Sequence, residues 1–179
     1  MLQKRIIPAL LMKGSGLVKT RKFKNPLYVG DPINILKIFN EKEVDEIFIA
    51  DIDASKQRSG INFELIEKFA GECFMPVTYA GGVNSVDQAK NIFALGVEKI
   101  CIQSAAFENT KLISDLVDKF GSQSIVVSVD IKKNWFNNYE LFYTSKEKSI
   151  RNDWKQHMTK LVKQVLVRFW LTRLIMMEL

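Results

Sequence analysis

Short apolar runs rich in β-branched residues alternate with stretches of helical apolar spacing, and that alternation limits the chain to a small set of folds. The runs are RIIPALL (5–11), DEIFIAD (45–51), MPVTYAG (75–81), EKICIQS (98–104) and SIVVSVD (124–130). Between them lie INILKIFNE, FELIEKFAGE, SVDQAKNIFAL and TKLISDLVDKF, with apolar residues recurring every three or four positions. Strands covered on both faces read as continuous apolar runs, and parallel neighbours need helical crossovers, so the pattern predicts an α/β chain with a parallel sheet. Ser85 marks a helix start, and Gly96 and Gly121 mark two stops. The stretch NWFNNYELFYTSK, with Asn137-Asn138 at its middle, predicts a hairpin, and a short helix is expected from Arg151 to Val162.

Four of the runs close on a polar or glycine residue: Asp51, Gly81, Ser104 and Asp130. In α/β folds ligands bind at the carboxyl edge of parallel strands, because the strand-to-helix loops and helix N-termini converge there. No GxGxxG follows the first run, and polar ends recur on successive strands rather than at one switch point. Both points favour a (β/α) barrel over a doubly wound sheet.

With 179 residues and 47% hydrophobic content, the chain can bury one substantial core. Its net charge of +6 is spread among acids, except for KTRKFK at 19–24, which reads either as a solvated loop or as a clamp for an anionic small molecule. The aromatics fall at core spacing, so a nucleic-acid platform is not expected. Lys13 breaks the first apolar run, no signal-peptide cleavage site follows, and no stretch reaches the ~20 apolar residues that span a bilayer. A soluble, cytoplasmic protein with no membrane partner is expected. Cys73 and Cys101 match no metal or redox spacing and read as small buried thiols, while His157 reads as a surface histidine. Neither a metal nor an organic cofactor is called for.

Asp130 ends a buried run, where it either caps a backbone amide or serves as a general acid-base with a raised pKa. The two readings carry equal weight. For Asp51 and Asp53 in ADIDAS, loop shaping is the favoured reading. Gly81 and Gly82, between a strand and a helix, bring backbone amides near a possible anion, and Gln103 and Ser104 in IQSAAFEN do the same one strand later.

Together RIIPALL, VGDPI, DEIFIADIDAS, YAGGV, QSAAFEN and FGSQSIVVSVD resemble the cyclase subunit of imidazole glycerol phosphate synthase, over residues 1 to about 162. The resemblance implies a (β/α)₈ barrel, represented here by about five units, an incomplete barrel. It also implies a glutaminase partner in a heterodimer, whose ammonia is used to cleave and cyclise a bis-phosphorylated ribonucleotide. By that resemblance Asp130 is a catalytic carboxylate and Lys19 the lysine of a closing first loop. Gly81, Gly82, Gln103 and Ser104 would hold a phosphate, and Arg5, Glu46 and Lys99 would form the ammonia gate. One departure matters: Leu11 stands where histidine-pathway enzymes carry the second catalytic aspartate. Leucine there, with LVKTRKFKNPLYVGDPI, resembles cyclase-like subunits that supply ammonia to sugar acids in surface-polysaccharide amidation.

The resemblance is expected to end near Val162, dividing the chain into a partial barrel (1–162) and an aberrant tail (163–179). A frameshift would explain the tail and leave the chain inactive. Codons for VKQVLVRFWLTRLIMMEL, read two bases later, permit KAGAGEILVNSIDNDGT, which resembles the family's sixth strand and loop. Trp170-Leu171 permits valine there, and Met176-Met177-Glu178 forces Asp-Gly. Sequencing the DNA checks this: the shifted frame should encode that string, and any other reading there sinks the idea.

Overall fold

The computed structural model describes residues 5–21, 24–54, 60–136, 138–143, 148–150, 156, 159 and 168–174. It divides into two compact units, Met1–Ile100 and Cys101–Leu179. The chain is α/β, with parallel strands at the centre of each unit.

In the first unit the strands are β1 (Ala9–Lys13), β2 (Gly16–Arg21), β3 (Lys24–Gly30), β4 (Ile47–Asp51) and β5 (Val77–Ala80), in the sheet order β3-β2-β1-β4-β5. Strands β1, β4 and β5 run parallel, with Leu10 opposite Ile49 and Ile49 opposite Tyr79. Their crossovers contain α1 (Pro32–Glu41) and α2 (Phe63–Glu72), and α3 (Val86–Ala94) follows β5. Each helix begins on a side chain that accepts the backbone N–H three residues on, in the first turn: Asp31 from Asn34, Asn62 from Leu65, and Ser85 from Gln88. Leu36, Ile66, Phe69 and Ile92 from these helices are fully buried, as are Ile47 and Tyr79 from the strands. Phe69 stacks on Tyr79 with ring centroids 6.4 Å apart, which fixes α2 over β5.

The segment containing the basic cluster differs from expectation. Rather than an open loop, Gly16–Arg21 and Lys24–Gly30 are antiparallel strands that continue the sheet from β1. The sharp reversal into β2 uses Gly14 at φ 59°, and β2 runs from buried Leu17 to exposed Lys19 across a register shift against β3 between Leu17 and Val18. Pro26, which cannot donate to a ladder, sits on β3, the edge strand.

Strand β6 (Lys99–Ile102) carries the chain from one unit into the next. The second unit holds α4 (Ser104–Glu108), α5 (Thr110–Phe120), β7 (Ile125–Lys133), β8 (Tyr139–Tyr143), β9 (Lys148–Ile150) and β10 (Arg168–Leu174). Asn109 caps α5, and Gly121, at φ 82°, ends it as expected. Strand β7 pairs in parallel with β10 and antiparallel with β8, which pairs in turn with β9. Asp130 therefore lies inside β7, which runs three residues past the expected strand end because β8 supplies backbone partners there. The expected hairpin is present, organised by Asn134. Its Oδ1 accepts from the Phe136 and Asn138 amides at 3.0 Å, and its own N–H reaches the Asn138 carbonyl. Most of the helix expected at 151–162 lies outside the described residues, although Gln156 and Thr159 are helical. Strand β10 was not expected. RFWLTRL is rich in residues that favour strands, and the ladder along β7 supplies its pairing.

Candidate functional site

Side chains alternate across a strand, so the register sorts the first unit's residues onto two faces. Ala9, Leu11, Phe48, Ala50, Thr78 and Ala80 share one face; Leu10, Ile49, Asp51, Val77 and Tyr79 share the other. The Phe69–Tyr79 stack shows that the second face lies under the helices.

Glu46, one residue before β4, falls in step with Phe48 and so projects onto the first face. There it is buried, with 6% of its surface exposed. It accepts a hydrogen bond from Thr78 Oγ1 at 2.6 Å and an ion pair from Lys99 Nζ at 2.5 Å. The neighbouring Glu98 accepts the Val77 amide at 2.6 Å. A desolvated carboxylate is tolerable only with such partners. The structure thus brings two of the three expected gate residues together at the amino edge of the strands, and it leaves Arg5 exposed. Thr78 was missed, although a polar residue in the apolar run MPVTYAG, two positions before Ala80, was a legible signal.

At the carboxyl edge, Asp51 belongs to the helix-facing side. Its Oδ1 accepts the Asp53 and Ala54 amides, each at 3.0 Å, which makes it a loop-shaping residue as expected. Burial pushes its carboxyl above the usual range; those two amides oppose the change and the Asp53 charge adds to it. Gly81 and Gly82 are required by close approach. A Cβ on Gly81 would lie 2.8 Å from the Asp51 Cβ, and one on Gly82 would lie 3.0 Å from the Ala54 carbonyl oxygen. Their φ values of 154° and 65° also favour glycine. Beneath them, the hydroxyl of fully buried Tyr79 has no hydrogen-bond partner among the described residues.

Lys19 is exposed on β2, opposite Leu27. Leu11 is half-buried, opposite Ala50 and Val18.

The second unit holds the other buried carboxylate. Asp130 is 7% exposed, and Gln103 Nε2 donates to its Oδ2 at 2.5 Å. Cys101 is buried beside them, and burial, with the Asp130 charge adding, pushes its thiol up to about 12. Burial also raises the Cys73 thiol, to about 11, with Glu98 and Glu72 acting in the same direction. Both stay protonated at neutral pH and are poor nucleophiles. Ser104 opens α4 and is half-buried. The Tyr143 hydroxyl donates to Glu108 Oε1 at 2.5 Å, tying β8 to α4, a link that sequence periodicity does not reveal. His157 lies outside the described residues. Among the described residues no group of His, Cys, Asp or Glu is arranged to hold a metal, and no helix is long and apolar enough to cross a membrane.

A family profile described as "Histidine biosynthesis protein" matches residues 5–174. The chain belongs to that family. This member of the histidine biosynthesis family is 54% identical over 142 residues to a Pseudomonas aeruginosa protein provisionally named imidazole glycerol phosphate synthase subunit hisF2, covering 79% of this chain and 57% of that protein. It is 46% identical over 167 residues to a Leptospira borgpetersenii protein provisionally named as the HisF subunit of that synthase, covering 93% and 64%. With the Pyrococcus furiosus imidazole glycerol phosphate synthase subunit HisF it shares 42% over 134 residues, covering 75% and 53%. The chain thus spans little more than half the length of the relatives it matches. The family match runs through β10, past Val162, where the resemblance was expected to stop.

Two outcomes test this geometry. Lys99→Met strands the Glu46 charge and should cost about 3–5 kcal/mol in urea unfolding, whereas adding Glu46→Gln should recover most of it. Asp51→Asn keeps an oxygen acceptor and removes a charge whose folded pKa lies above the ordinary 3.8. Ionised Asp51 therefore weighs against folding at neutral pH, and protonation relieves it. The asparagine variant should be at least as stable at pH 7, and its advantage should fade as pH falls through the folded value toward 3.8.

Proposed function

We propose that this chain is a cyclase-type subunit that takes ammonia from a glutaminase partner, in a cytoplasmic heterodimer, and uses it to cleave and cyclise a bis-phosphorylated ribonucleotide. The observation that carries the reading is Asp130, a carboxylate buried on the parallel strand β7 and held by an amide donor. A carboxylate so placed suits the proton transfers of ring closure. Lys19 would close over the substrate, Gly81, Gly82 and Ser104 would offer amides to a phosphate, and Glu46, Lys99 and Arg5 would guard the entry of ammonia. The buried Glu46–Lys99 pair supports the last role, since such a pair contributes little to stability and is better suited to gating.

Leu11 favours a second reading, in which the subunit delivers ammonia to a sugar-acid amidating system and performs no cyclisation. An isobutyl group cannot exchange a proton, and chemistry that needs two carboxylates loses one of them. We also propose that residues 163–179 are the family's sixth unit in a shifted frame. The codons under β10, which lies beside β7, permit ILVNSI in that frame, a string that begins with three strand-favouring residues.

Ammonia-dependent turnover of the bis-phosphorylated ribonucleotide, assayed on the chain and on frame-restored protein, separates these readings. On the first, frame-restored protein turns over, Leu11→Asp raises the rate, and Asp130→Asn lowers it about 10²–10⁴-fold. No turnover from frame-restored protein carrying Leu11→Asp excludes cyclisation. Co-purification of a glutaminase with a sugar-amidating synthetase would then support the second.

A further inference from the structure

We infer that Gln103 is a positioning residue for the Asp130 carboxylate rather than a phosphate ligand, a reading that rests on the role proposed for Asp130. The start of α4 sets it apart. Asp31, Asn62, Ser85 and Asn109 each turn their side chain onto the first turn of the helix they begin, whereas Gln103, in the same position ahead of α4, makes no such bond. Its amide reaches instead across 27 residues of chain to Asp130 Oδ2, at 2.5 Å. An amide nitrogen this close to a carboxylate is a poor anchor for a phosphate, because any anion on its second N–H would be held beside the Asp130 charge. A neutral donor on a buried carboxylate fixes its orientation and favours its ionised form without neutralising it.

From β6, Cys101 faces Asp130 and stays neutral, its thiol held up by burial and by the carboxylate itself. Along β7, Ser128 and Lys132 share the face of Asp130 by alternation, and the Lys132 ammonium lies over the Phe142 ring, 5.2 Å from its centroid. The residue opposite on β8 is Phe142, and on β10 it is Thr172. From α4, Glu108 is engaged with the Tyr143 hydroxyl.

The test uses the whole chain with 13C-labelled aspartate carboxyls, and Asp130→Asn identifies the Asp130 signal. Gln103→Leu should raise the apparent pKa of Asp130 by about one to two pH units, the worth of a hydrogen bond to a charged group. Gln103→Glu, nearly isosteric, should raise it as well and serves if the leucine variant does not fold. An Asp130 titration unchanged within a few tenths in the folded variant overturns the inference. Titration with inorganic phosphate gives a second readout: the Gly81 and Gly82 amide signals should respond equally in wild type and variant, and a response lost with Gln103 restores the ligand reading. In ammonia-dependent turnover by the frame-restored protein Gln103→Leu should lower kcat with KM unchanged; a rise in KM alone points back to a ligand. Full turnover by Asp130→Asn would remove the catalytic role of Asp130 while leaving the titration result standing, so the two failures are distinguishable.

Discussion

A strand covered on both faces has room for charge only where other strands can answer it, and this desolvation constraint organises the chain. Glu46 is held by Thr78, 32 residues away, and by Lys99, 53 residues away, so three separate segments must be in register before its charge is tolerable. Such a network adds little net stability, because the attraction mostly offsets the cost of leaving water. What it adds is discrimination. A slip of one residue in β4 or β5 would turn Glu46 or Thr78 toward the helices and leave a buried charge unanswered.

The same alternation separates two aspartates that look alike in sequence. Asp51 and Asp130 each close an apolar run, yet Asp51 falls in step with Ile49 and Tyr79, on the side packed beneath the helices. There its oxygen is used up by the Asp53 and Ala54 amides. Asp130 falls in step with Ser128 and meets Gln103. Sequence spacing put both at strand ends, which holds for Asp51, whereas β7 runs on past Asp130 to Lys133. The face each one takes depends on the partners of its strand, and those become visible only once the strands are paired.

Helix boundaries were legible because their signals are local. Ser85 and Gly121 act within one turn, and the stretch from Thr110 to Phe120 forms α5 over the length its periodicity implies. Strands whose composition is polar or mixed, and which depend on a partner for their existence, were not legible. KTRKFK has the composition of a solvated loop, and its first half becomes strand by pairing with β3, Lys19 with Leu27 and Arg21 with Lys24; β7 reaches Lys133 because β8 returns along it. The tandem glycines were read as an anion site, whereas their necessity in the structure is steric: Asp51 and Ala54 occupy the space that side chains would need. The two roles are compatible, since a turn with no Cβ atoms is also one whose amides are accessible.

Leu11 lies in register with Ala50, and Ala50 with Ala80, giving the first unit an apolar row at the carboxyl edge of its parallel strands. On the same face, the opposite edge carries the Glu46–Lys99 pair. On the proposed reading that face would suit the passage of a small neutral molecule, and the row of Leu11, Ala50 and Ala80 offers no side chain that moves a proton. On the same reading proton handling would fall to Asp130, a buried carboxylate held by the Gln103 amide. Delivery and chemistry would then rest on different residues, and leucine at position 11 would cost cyclisation a carboxylate while leaving the Glu46–Lys99 pair intact.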